Sequence, residues 1–447
     1  MKNSIPFSPP TIAIMLLSIN LTTTAVKGGD HVLREEDSIV ISKIRFIGLK
    51  TTEPSVVHRE LIHKKGSVYN KGTWVIEKKR LERQDIFASV RLELAQKKNQ
   101  VELRYQFEEL PAVIPFIGGK KTDQDGIIIG PALATLNFLG RDIRLESYGR
   151  SSIKGPGKAM EFQAVASALW LGGLPIEYWL QYVYTNSYNS FESFPEKSHM
   201  ALLELNQRIG SFWNIKYKAE FFSIATEPDN RDILLTKNST QDNIPRFGFG
   251  LVRDTRESRI NPHRGLYSEI MYTHSGGFAG SHANFGEWLA DFRSFIPLRQ
   301  KHILHLSFLG QYRTGRIGAY DRFHVSGANT LRAYNPITDG FSGTSEILSF
   351  AEYRYEVINK KTIRLLNLTG FYGLQLVAGT DLAYVWDRNN FQEGIHGASY
   401  YLGAHILLPG LDRIRLELGN KALSAKLDMG FTLGLFERTA VQRWRIR

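Results

Sequence analysis

Trp213, Asn214, Ile215, Lys216, Tyr217, Lys218, Ala219, Glu220 and Phe221 alternate apolar and polar without a break. Successive side chains of a strand point to opposite faces, so this segment has one apolar and one charged face. The same two-residue period returns at Ile414, Leu416 and Leu418 against Arg413, Arg415 and Glu417. Ile176, Tyr178, Leu180, Tyr182 and Tyr184 repeat it beside Glu177 and Gln181, with Trp179 and Val183 interrupting the polar side. Between Ile114 and Phe436 the helical period is absent. A soluble β-sandwich alternates too. Length favours membrane-spanning strands, which need about ten residues where sandwich strands average about five or six.

The alternation predicts strands near 113–121, 127–140, 141–150, 158–171, 175–186, 199–210, 212–224, 246–255, 265–275, 283–296, 301–314, 346–358, 370–386, 398–409, 411–420 and 424–436. That is about sixteen, an even number, as expected of a single-chain bacterial outer-membrane barrel. Closure into a barrel satisfies every backbone group in lipid. The fold class expected is therefore mainly β, a transmembrane antiparallel barrel over 111–436, with 437–447 as a C-terminal extension.

Composition agrees. Of 447 residues 43% are hydrophobic, 12% aromatic and 22% charged, with 39 glycines, no cysteine and a net charge of +12. The bulk is too apolar for disorder, and without cysteine there is no disulfide scaffold, thiolate metal site or cysteine nucleophile. A mean hydropathy of -0.23 disfavours a helical membrane protein but suits strands whose two faces average out. The continuous apolar run, Ile12 to Leu21, follows Lys2 and precedes Thr23, Thr24 and Ala25, which reads as a signal peptide over 1–25. Residues 26–37 then read as a linker.

Residues 38–110 carry mixed signals. Ile41, Ile44, Phe46 and Ile47 begin an extended segment ending at Gly48; Glu53 to Ile62 and Thr73 to Gln84 read as helices; Val90 to Leu94 and Val101 to Phe107 alternate as a hairpin. The order β-α-α-β-β suits a small domain. Its basic cluster, His63, Lys64, Lys65, Lys78, Lys79 and Arg80, reads first as a solvated helix face and second as a surface for an anionic partner.

One connection is anomalous. Between Arg313 and Glu346 lie about thirty residues, far beyond a hairpin loop, so a functional role is expected. An arginine there can fold into the lumen and pair with wall carboxylates. Arg332 is the candidate, and by parity Glu352 and Asp381 fall on the lumen side of the next two strands.

This loop, with Phe323, Ser326, Gly327, Leu331, Arg332, Ala333 and Tyr334, resembles the sixth extracellular loop of the BamA/TamA-type outer-membrane assembly and translocation family (bacterial surface antigen superfamily). That family carries Arg-Gly-aromatic after a Gly-Gly pair; here Ala333 stands for the motif glycine and Ser326 for one of the pair. Asp254, Arg256, Pro262 and Gly265 resemble the family's mid-barrel signature. Gly379 to Asp381 with Tyr384 to Asp387 resembles the strand whose acid meets the loop arginine, and 38–110 resembles one POTRA domain. The resemblance covers nearly all of the chain after residue 37, and five strands follow the loop, as in the family.

The resemblance implies a POTRA domain in the periplasm that captures unfolded clients by β-augmentation, and a barrel that opens laterally between its first and last strands. Pro115 in the first strand, with Gly118 and Gly119, and Gly430 and Gly434 in the last, are the candidate seam; the plainer reading of the glycines is barrel curvature. Expected partners are the outer-membrane bilayer, unfolded outer-membrane or secreted proteins, and accessory periplasmic or lipoprotein subunits, with no nucleic acid. The chain is expected to insert or translocate proteins. A dedicated two-partner-type exporter of one secreted protein and a passive porin or surface antigen are the alternatives. Enzymatic signals are weak: Gly118 to Thr122 lacks the upstream glycine of a phosphate loop, and no cofactor, catalytic or metal site is expected.

Overall fold

The computed structural model describes residues 39–434 apart from 98, 123–125, 155–158, 190–192, 237–238, 259–260, 327–329, 335–339, 366–367, 389, 409–412 and 422–426, and the backbone alone of 116, 118–122, 126–127, 154, 231, 364–365, 368–369, 413 and 427–434. The expected signal peptide, linker and C-terminal extension lie outside the described residues, as does Gly327.

The 213–221 segment reveals its surroundings by which face is covered. Lys216, Lys218 and Glu220 are buried, while Trp213, Tyr217 and Phe221 are 40–49% exposed. The same inversion holds at the far end of the chain, where Arg415 and Glu417 are buried and Leu416 and Leu418 exposed. A sandwich would bury the apolar face. Charges inside and aromatics outside are the arrangement of a barrel in lipid. Trp179, which interrupts the polar side of its strand, faces the lumen, its indole N–H donating to Gln181 at 3.2 Å.

The N-terminal domain is a three-stranded sheet of β1 (Val40–Ile47), β2 (Phe87–Lys97) and β3 (Gln100–Glu109) in the order β1-β3-β2, with β1 parallel to β3. Helices α1 (Pro54–His58) and α2 (Lys71–Glu82) cover it around Ile41, Val57, Leu81, Leu103 and Tyr105, all fully buried. Asn70 caps α2, its side-chain oxygen accepting from the Thr73 amide at 3.1 Å. Two expectations need correction. The first helix stops at His58, well short of Ile62, because Arg59 and Glu60 leave it to meet the barrel. His63 is not part of the solvated basic face: it is buried, its Nδ1 2.8 Å from the Glu77 carboxylate, which also accepts from the amides of Ile62 and His63 and the hydroxyl of Tyr105.

Sixteen strands form the barrel sheet: β4 (Val113–Thr122), β5 (Gly126–Phe138), β6 (Ile143–Lys154), β7 (Met160–Ala168), β8 (Ile176–Asn189), β9 (Phe194–Arg208), β10 (Trp213–Ala225), β11 (Gln241–Asp254), β12 (Gly265–Gly276), β13 (Asn284–Arg299), β14 (His302–Arg316), β17 (Ser345–Leu365), β18 (Leu368–Trp386), β19 (Ile395–Leu407), β20 (Arg413–Lys421) and β21 (Leu427–Gly434). The long connection holds two three-residue strands, β15 (Phe323–Val325) and β16 (Phe341–Gly343), paired with each other. Neighbours are antiparallel throughout, and five wall strands follow the connection, as expected.

Among the described residues the ring is barely completed: β21 meets β4 through a single registered pair, Thr432 with Lys120, against eight pairs between β20 and β21 and ten between β4 and β5. Pro115 fits this edge. The Ala112 carbonyl accepts from Leu136 of β5; backbone groups alternate between edges, so Pro115, three residues on, turns its missing donor toward the seam. Gly118 pairs with Gly130 and Gly119 with Ile129 in β5, while Gly430 and Gly434 pair with Glu417 and Arg413 in β20.

The domain is seated against the strand ends nearest to it. Arg59 pairs with Asp142 at 2.9 Å, Asn137 donates to Thr52 at 2.8 Å, Trp170 Nε1 donates to Glu60 at 2.7 Å, and Arg83 reaches Asp254 at 3.1 Å. Its apolar core runs on into Ile114 and Leu136 on one side of the seam and Phe371 and Leu407 on the other.

Candidate functional site

The long connection between β14 and β17 folds into the lumen. Val325 and Leu331 are fully buried and Phe341 nearly so, packed against the inward residues Met271, Leu289, Leu309, Leu348, Ala383 and Val385 of five wall strands. Apolar residues on the loop thus meet an apolar layer within an otherwise charged interior.

Arg332 sits beyond Leu331 and is where the wall charges converge. Its Nη1 donates to Asp381 Oδ1 at 2.6 Å, and its backbone N–H to Oδ2 of the same carboxylate at 3.3 Å. Its Nε lies 2.9 Å from Glu417 Oε2 and its Nη2 3.9 Å from Glu352 Oε2. The guanidinium stacks 3.6 Å above the Tyr401 ring, a geometry that combines cation–π attraction with planar hydrogen bonding. The carboxylates are held in turn: Ser399 donates to Asp381 at 3.0 Å, Tyr401 to Glu352 at 2.6 Å, and His405 Nε2 lies 2.8 Å from Glu417. Four consecutive strands, β17 to β20, thus converge on one cation.

Of the two carboxylates expected, Asp381 is the direct partner and Glu352 the distant one, engaged more closely by Arg354 at 2.5 Å. Glu417 is the partner that sequence reading missed. The signal existed, because Glu417 lies on the polar side of an alternating strand, but nothing local placed that strand beside the loop. Glu352, His405 and Glu417 bring ligand atoms within 4.8 Å of one another. Their donor types would suit a divalent ion, yet Arg332 already supplies the positive charge there.

Ala333 in place of the motif glycine finds room because the wall opposite is Gly419, where a side chain would meet the Arg332 carbonyl carbon at 3.3 Å and the Ala333 methyl at 3.4 Å. Tyr334 accepts from the Ala398 amide at 3.3 Å and meets Phe341 edge-on at 6.1 Å.

The mid-barrel residues lie elsewhere, at the barrel end beside the N-terminal domain. Arg256 forks onto Asp254 at 2.9 and 3.2 Å and lies over Tyr267, and Arg83 joins the same carboxylate. Pro262 is buried. Gly265 has φ +111°, and a Cβ there would strike the Thr255 carbonyl at 2.6 Å. Within this turn His263 lies between Glu257, at 3.2 Å, and Glu356, at 2.8 Å. Those hydrogen bonds, Glu257 first and then Glu356, raise its pKa to about 9. The seam residues form a third locus, and the residues named from sequence therefore do not form one site.

Residues 145–434 match the family model of the Omp85 superfamily domain, and residues 39–110 that of the POTRA domain, surface antigen variable number repeat. Outer membrane protein assembly factor BamA of Nitratidesulfovibrio vulgaris is 20% identical over 315 residues, covering 68% of this chain and 39% of that protein. The chain thus spans about two-fifths of that curated relative's length. Among solved structures, BamA from Haemophilus ducreyi lacking POTRA domains 1–3 aligns with a TM-score of 0.53 at 14% identity, over 88% of this chain and 83% of that one. CdiB from Acinetobacter baumannii gives 0.60 at 14% identity over 88% and 73%, and CdiB from Escherichia coli 0.61 at 13% over 88% and 75%. At these identities the likeness is one of fold.

Proposed function

The chain belongs to the Omp85 superfamily of outer-membrane β-barrel proteins, and from that premise we propose that it inserts or translocates other proteins at the outer membrane. The POTRA domain stands in the periplasm, and the loop carrying Arg332 enters the lumen from the cell exterior. An unfolded client adds to the free edge of β2, since β3 occupies only its other side. The client then pairs at the seam, where, among the described residues, β4 and β21 share one registered pair.

One observation carries this reading: among the described residues a single pair, Thr432 with Lys120, joins β21 to β4, where every other junction of the ring has at least eight registered pairs. Each backbone hydrogen bond left unmade at that edge is one that a client strand can supply, and lipid offers no substitute. A passive porin is disfavoured because Val325, Leu331 and Phe341 fill the lumen with apolar side chains. The exporter reading differs in route, since an exported chain passes through the lumen, not the seam.

The test uses the absence of native cysteine. Lys120 and Thr432 face each other across the seam, at the Cα spacing of an antiparallel pair, about 4.5–5.5 Å, which a disulfide can bridge. In proteoliposomes, oxidised K120C/T432C is expected to lose insertion of an unfolded barrel client and to regain it on reduction. Insertion unaffected by the lock would overturn the reading. Unimpaired passage of a secreted chain through the locked protein would favour the exporter.

A further inference from the structure

The Arg332 contact fixes one end of the loop; its other end is fixed on a different wall. Arg246 of β11 donates through Nη2 to both oxygens of Asp321, at 2.6 and 2.8 Å. Arg246 is 2% and Asp321 8% exposed. The neighbouring Tyr320 donates to Asp242, also on β11, at 2.6 Å. Arg313 donates to the Asp321 carbonyl and lies 3.8 Å over the Phe323 ring. In the sixteen-strand ring β11 and β20 are seven places apart, close to diametrically opposite. The loop therefore leaves β14, touches the β11 wall at Asp321, crosses through Val325 and Leu331, and reaches β18 and β20 at Arg332.

We infer that Arg246 and Asp321 are positioning residues forming a second anchor, so that the loop is a bar fixed at both ends and clears the lumen only when both are released. The charges support this division. Asp321 supplies the loop's carboxylate to a wall arginine, and Arg332 supplies the loop's arginine to wall carboxylates, so each end has its own complementary pair and neither can exchange with the other. Breaking the Arg332 end leaves Asp321, Tyr320 and the β15–β16 pair in place. Breaking the Asp321 end leaves Arg246 with Glu220, 3.3 Å away, so the wall stays neutralised and the barrel intact.

The inference does not depend on the transport reading, and its test needs no client. Val325, at 0% exposure, lies between the anchors, and Val325→Cys adds the sole thiol of the full-length protein. Labelling by a membrane-impermeant maleimide in proteoliposomes reports whether the loop has left the lumen, with heat-modifiable mobility confirming a folded barrel. Negligible labelling is expected in V325C alone and with D321N or R332Q singly, and rapid labelling only when the two are combined. Asp321→Glu in the R332Q background, which keeps the charge, is expected to return labelling to the R332Q rate. The inference fails if R332Q alone labels as fast as the combination, or if the folded combination stays protected.

Discussion

Arg332 draws its partners from strands whose sequence positions lie 20 to 85 residues away, and each contact is buried. Removing one partner of a buried pair leaves an uncompensated charge, at a cost of about 3–5 kcal/mol. Arg332→Ala and Asp381→Ala are therefore expected to lower the thermal midpoint and client assembly by similar amounts, and the double variant by little more than either. Fully additive defects would show that they act in separate contacts. Glu417→Gln should give a smaller defect, since Asp381 remains. His263 gives a pH-dependent prediction. Its folded-state pKa, about 9, lies above the ordinary 6.5, so its contribution to docking the 255–264 turn is complete below 6.5 and lost as pH rises through 9. Tryptic cleavage after the exposed Arg264 should accelerate between about pH 8 and pH 10, and His263→Gln should abolish that acceleration.

Among the elements, the strands were the most legible, because a two-residue period is a property of each segment alone. The first helix was overread for the opposite reason: Arg59 and Glu60 suit a helix locally, and an ion pair with Asp142 and a hydrogen bond from Trp170 on the barrel end it at His58. The β15–β16 pair, three residues a side, is too short to carry a period. Pro115 allows a test of the seam as an element. Pro115→Val restores an amide on the seam edge of β4 and should strengthen pairing along that edge, raising the barrel's thermal midpoint while slowing client insertion. An unchanged insertion rate would show that this edge does not open.

At the scale of the whole molecule the POTRA domain straddles the seam. Its core joins Ile114 and Leu136 on the β4–β5 side to Phe371 and Leu407 on the β18–β19 side, so parting β21 from β4 must strain or divide one apolar cluster. Truncating a buried leucine typically costs about 2–5 kcal/mol; Leu407→Ala should therefore loosen the clasp and raise ion leakage through reconstituted barrels, where unchanged conductance would show that the domain does not restrain the seam. The sequence by itself determined the barrel, the number of its strands, the polarity of its two faces and the lumen-side placement of Glu352 and Asp381 as candidate partners of Arg332, because alternation and parity are local and survive without coordinates. Only the tertiary structure decided that Glu417 outranks Glu352, that Asp321 holds the opposite end of the loop, and that one domain spans both flanks of the β4–β21 seam. Those facts are distances between segments remote in the chain, set by how many strands separate them around the ring, and no local pattern encodes them.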